Sequence, residues 1–90
     1  MSNIKVKQKQ IDRLMETAKV ETMTVFGKCT VMVMQLENGF VLTESSACVD
    51  PSNYDPDLGA KICRKRIEDR LWELEGYALQ KNTAPWRKEI

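Results

Sequence analysis

Apolar positions change their period three times along the chain, and each change predicts an element. Ile11, Leu14, Met15 and Ala18 recur at i, i+3, i+4 and i+7, the single face of a short amphipathic helix over about residues 8–18. From Val20 the spacing shortens, and residues 20–26, 29–36 and 40–46 are rich in β-branched and aromatic side chains. Gly27-Lys28 and Glu37-Asn38-Gly39 separate these runs as turns; the second is the stronger signal, because Asn-Gly tolerates the positive φ of tight hairpins. Strands joined this closely must be antiparallel. After a loop, Asp55 is suited to cap a helix whose first residue is Pro56. Gly59, Cys63, Ile67, Leu71, Leu74 and Ala78 then continue one stripe, predicting a helix of about 25 residues, roughly 37 Å long. Gly59 lies within that stripe, where a missing side chain allows close approach to the sheet or to the first helix. The fold class is α+β in the order α-β-β-β-α: a three-stranded antiparallel meander with both helices packed on one face. Residues 1–90 form a single domain, with 1–7 and 82–90 expected as flexible tails.

The middle strand departs from the alternation that a two-layer domain needs. Cys29, Val31 and Val33 fall on one side, and Met32, Met34 and Leu36 on the other. Neighbouring strands add Met23, Val25 or Val41 to one face and Phe26, Phe40 and Leu42 to the opposite one. Two helices cover a single face, so an apolar surface remains that a terminal tail or a second subunit must cover. Self-association is the preferred reading. Met23, Val25, Met32, Met34, Leu36 and Val41 are its candidate interface residues, joined by Trp86 of the polar tail.

Composition narrows the chemistry. With no histidine in 90 residues, triads of the Ser-His-Asp type and histidine-bearing zinc sites are excluded. Cys29, Cys48 and Cys63 follow no metal-ligand spacing and are read as reduced structural thiols. No enzyme, cofactor or metal is expected. A formal charge of +1 argues against nucleic acid, and neither a membrane-spanning segment nor a secretory leader is expected.

Two clusters remain as candidate ligand contacts. Thr43, Glu44, Ser45 and Ser46 end the third strand with hydroxyls and a carboxylate, suited either to a small polar ligand or to a self-bonded turn. Lys61, Arg64, Lys65, Arg66 and Arg70 make the long helix basic, with Arg66 and Arg70 the chosen phosphate contacts. Interleaved acids such as Asp69 offer the alternative of a self-paired, solvated face.

Several phrases carry a resemblance: Asn38-Gly39-Phe40-Val41, Ser46-Ala47-Cys48-Val49-Asp50-Pro51, Asn53-Tyr54-Asp55, Leu58-Gly59, and Leu71-Trp72-Glu73-Leu74-Glu75-Gly76-Tyr77 followed by Leu79. The chain resembles a family of small tailed-phage proteins named after gene product forty-nine of coliphage N-four and gene product sixty-six of Shigella phage Sf-six. Thr43-Glu44-Ser45-Ser46 lacks the glycine of the family phrase Thr-Gly-Glu-Ser, and Arg64-Lys65-Arg66 replaces an alanine-rich stretch. The resemblance implies an accessory phage protein without established catalytic residues, working in the cytoplasm of the bacterial host. The expected function is a homo-oligomeric anti-defence binder that sequesters a small anionic, nucleotide-type signal. The alternative is an interaction protein that inhibits a host or defence protein directly.

Overall fold

The computed structural model describes residues 4–83. The elements are α1 (Gln8–Thr17), β1 (Lys19–Val25), β2 (Cys29–Gln35), β3 (Val41–Ala47), a single 3₁₀ turn (Pro51–Asn53) and α2 (Pro56–Thr83). The three strands form one antiparallel sheet in the order β1-β2-β3, and both helices lie on the same face, as the sequence predicts. Asn82 and Thr83, expected in a tail, belong to α2, and Val6 packs against the core. Residues 1–3 and 84–90, Trp86 included, lie outside the described residues.

α1 opens with the Lys7 N–H donating to Gln10 Oε1 at 3.0 Å, and its end runs through an extended Ala18 directly into β1. α2 opens where expected. Asp55 Oδ1 accepts from the N–H groups of Asp57 (3.0 Å) and Leu58 (3.3 Å), satisfying donors that a helix start leaves unpaired. Its buried stripe is Gly59, Cys63, Ile67 and Leu71, at a strict spacing of four, facing β2 and β3. Gly59 resolves the alternatives for its close approach: a Cβ there would collide with the Thr30 hydroxyl and stand 2.8 Å from the Thr30 Cβ, so the approach is to the sheet.

The core comprises Ile11, Met32, Met34, Leu36, Leu42, Cys63, Ile67 and Leu71. Met32, Met34 and Leu36, candidate interface residues by sequence, are instead core residues. They turn toward the helices and are buried within the single chain, whereas Met23, Val25 and Val41 lie on the opposite face. Strand alternation forbids the two sets from sharing a surface. Phe26 also differs from expectation. It sits in the first turn at φ 56 beside Gly27 at φ 67, with the Lys28 N–H donating to Val25 O at 3.3 Å, and it is 89 % exposed. The turn thus centres one residue earlier than Gly27-Lys28.

Ladder parity decides which backbone groups each edge presents. Leu36 N–H donates to Phe40 O at 2.8 Å and Cys48 N–H to Lys28 O at 3.0 Å, so the even-numbered residues of the middle strand bond toward β3. The odd-numbered ones bond β1 through Lys19, Glu21, Met23 and Val25. On β1, therefore, Val20, Thr22 and Thr24 direct their N–H and C=O groups outward; on β3, Thr43 and Ser45 do so.

Candidate functional site

Thr43, Glu44, Ser45, Arg66 and Arg70, selected from two distant stretches of sequence, do meet in space. α2 runs antiparallel to β3 along its outer edge. One helical turn advances about 6 Å over four residues and two strand residues advance about 7 Å, so successive arginines meet alternate strand carbonyls. Arg66 Nη1 donates to Ser45 O at 2.7 Å, and Arg70 Nη1 donates to Thr43 O at 3.0 Å and approaches Glu44 Oε2 at 3.4 Å. These guanidinium groups are covering a strand edge, a task that edge carbonyls create in any open sheet. Ser46 turns to the helix side and is half-buried beside Tyr54, Leu58 and Ile62. Lys65 pairs with Asp69 at 2.8 Å on the solvent side, and this hydrogen bond raises the lysine pKa.

Two basic residues of the same helix have a different setting. Lys61 and Arg64 line a groove of about 440 Å³ with Met32, Leu58, Ala60 and the two aspartates of the helix start, Asp55 and Asp57. The groove continues toward β1 as a second depression of about 290 Å³ floored by Thr22, Thr24 and Thr30, with Asp57 and Ala60 common to both. It exists because α2 leans over β2 and β3 and leaves the helix side of β1 uncovered. Tyr54 hangs over the threonines: its hydroxyl shares hydrogen bonds with Thr24 Oγ1 at 2.8 Å and with the buried Thr30 Oγ1 at 2.7 Å. Sequence reasoning singled out Lys61 and Arg64 as part of the basic cluster but missed Thr22, Thr24 and Thr30, which carry no motif. Period-two alternation places Thr22 and Thr24 on one face, and that was the available signal; Thr30 joins them through the β1–β2 register, which sets it opposite Thr24.

The thiols have structural settings. Cys63 is buried, its Sγ donating to Thr30 O at 3.7 Å, and burial pushes its pKa up against the lowering influence of Arg66. Cys48 Sγ donates to Asp50 O at 3.2 Å. Asp50 organises the loop before α2, accepting from the Ser52 N–H and hydroxyl at 2.9 Å each, and these bonds hold its pKa below the usual carboxylate value. Among the described residues no cluster of histidine, cysteine or acidic side chains could hold a metal ion. No helix among them is long and apolar enough to cross a membrane.

The sheet face opposite the helices carries Met23, Val25, Cys29, Val31, Val33 and Val41, with Met23 51 % and Val41 49 % exposed. This is the apolar surface anticipated from the middle strand, now with its membership decided by register.

No curated protein and no solved structure matches the chain. A family model does: that of the phage protein (N4 Gp49/phage Sf6 gene 66) family, aligned over residues 6–83. That span takes in both helices, all three strands and the groove between β1 and α2, and the chain belongs to this phage protein family.

Proposed function

We propose that this phage protein is a non-enzymatic, homo-oligomeric binder that acts in the cytoplasm of the infected host by sequestering a small anionic, nucleotide-type signal. One observation carries the reading: Lys61 and Arg64 lie one helical turn apart and line the same groove, whereas Arg66 and Arg70 are engaged by β3. Two cations at that spacing suit a phosphate, the neighbouring threonine hydroxyls suit a sugar or base edge, and Met32 and Leu58 supply an apolar wall. Asp55 and Asp57 favour a ligand that also carries donors, such as an amino-bearing base.

Calorimetric titration with a panel of nucleoside phosphates and cyclic dinucleotides tests this. At least one should bind the parent protein. Lys61→Glu with Arg64→Glu should weaken it tenfold or more, roughly the loss of two charge-assisted contacts, while Arg66→Ala should retain it. A parent protein that takes up none of the panel overturns the reading.

A second reading has its own support in the open apolar face. Inhibition of a host or defence protein by direct binding would use Val31, Val33 and Val41 as its contact. It predicts a stoichiometric complex with one defined host protein, lost in Val33→Asp and untouched by Lys61→Glu.

A further inference from the structure

The two edges of the sheet are not treated alike. Thr43 and Ser45 on β3 have their outward carbonyls bonded by Arg70 and Arg66. Among the described residues β1 has no such cover: six of its seven residues are exposed, and it contains no proline or bulge to discourage pairing. Its outward backbone groups belong to Val20, Thr22 and Thr24. A row of free N–H and C=O groups on a flat strand is a template for another strand.

The sequence around Val20 indicates which strand that is. Lys19 and Glu21 flank Val20, both on the open face of the sheet, and each stands beside an uncharged β2 neighbour, Gln35 or Val33. Antiparallel pairing of β1 with its own copy about Val20 sets each Lys19 directly opposite the other copy's Glu21, twice by symmetry. Direct cross-strand pairs of opposite charge favour such a register, and shifting it to centre on Glu21 would oppose two glutamates. Centring on Val20 also satisfies ladder parity, because Val20 and Thr22 are residues whose backbone groups point outward. Val20, 36 % exposed in the single chain, then meets its own counterpart.

We infer that the protein dimerises edge to edge through β1, two copies joining in one continuous six-stranded sheet about an axis at Val20. Both helical layers lie on the same side of that sheet. The second copy's Ala18 comes opposite Thr22, at the open side of the groove. The inference deepens the homo-oligomer reading above and is independent of what the groove binds.

The test uses the full chain, with mass measured by light scattering across a dilution series. The parent should run as a dimer. Lys19→Glu, which opposes glutamates on both sides of the axis, should raise the dimer dissociation constant about tenfold or more, and the swap Lys19→Glu with Glu21→Lys should restore it to within about threefold. Val20→Pro removes an outward N–H that the β1–β2 ladder does not use, and should give a monomer with unchanged circular dichroism. Ser45→Pro on the other edge should leave the dimer intact. If Val20→Pro does not fold, amide exchange of the parent decides instead: the Val20 and Thr22 amides should be protected at high concentration and lose protection on dilution. A monomeric parent, a dimer indifferent to Lys19→Glu, or unprotected Val20 and Thr22 amides would each overturn the proposal. Nucleotide titration reads a different quantity, so a failed ligand and a failed dimer are distinguishable.

Discussion

The β3 side of the molecule is held by α2, whereas β1 is held by its ladder to β2 and one side-chain bond, Thr24 to Tyr54. α2 packs its buried stripe on β2 and β3 and closes the outer edge of β3 with two guanidinium groups. β1 contributes no fully buried side chain, and among the described residues no strand or helix pairs with its outer edge. The difference arises from one close approach. Gly59 lets the start of α2 descend onto Thr30 of β2, and from there the helix follows β3 at matching pitch. The groove is a consequence of that lean, which leaves Thr22 and Thr24 exposed along its floor.

The comparison breaks most severely at the centre of the anchored side. Ile67 is fully buried between α2 and the sheet, and Ile67→Ala should cost about 2–5 kcal/mol in denaturant unfolding. A loss below about 1 kcal/mol would mean that α2 is not the anchor described. Gly59→Ala comes next, at about 1–3 kcal/mol, since its methyl must displace Thr30. Adding Thr30→Ala should recover part of that loss; strict additivity would separate the two residues and contradict the contact.

Tyr54 is the polar link between the two sides, bonding Thr24 of β1 and Thr30 of β2. Tyr54→Phe should cost about 1 kcal/mol, because the buried Thr30 hydroxyl loses its partner. Arg66→Ala sharpens the contrast rather than abolishing it. The expected global cost is about 0.5 kcal/mol, with faster amide exchange concentrated on the outer edge of β3. Equal acceleration along β1 would show that the two edges are coupled.

The smallest expected effect is the acid response of the loop that launches α2. Asp50 has a pKa lowered by its bonds to Ser52, so its folded-state preference is for the charged form. Its contribution is present above the ordinary carboxylate pKa and fades as pH falls through the lowered folded value. Asp50→Asn should therefore flatten the acid end of the stability profile, the parent's small advantage being present near neutrality and vanishing at low pH. A difference between the two proteins that appears only above pH 7 would contradict this assignment.

Local chemistry was sufficient for the elements. Ile11 and its partners, the Asn38-Gly39 turn, the Asp55 cap and the stripe through Gly59, Cys63, Ile67 and Leu71 are short-range signals, and each lies where its period places it. The meander followed from turn length. The apolar character of both faces of β2 was equally visible, because alternation is a property of the chain itself. Gathering Thr43, Glu44 and Ser45 with Arg66 and Arg70 was also legible as chemistry, but not as role. A guanidinium reads the same in sequence whether it meets a phosphate or a carbonyl.

Three matters were decided only by the tertiary structure. Which face of β2 the helices cover depends on the descent of α2 at Gly59, and that choice buries Met32, Met34 and Leu36 while leaving Met23, Val25 and Val41 outside. Phe26 could be placed in the turn only once ladder parity was known, since its β-propensity argues for a strand. The groove joins Thr22 and Thr24 to Lys61 and Arg64 across some forty residues of intervening chain. Periodicity records what each element offers to its surroundings; which offers are taken up depends on distances between elements, and those are set by how one helix settles on one sheet.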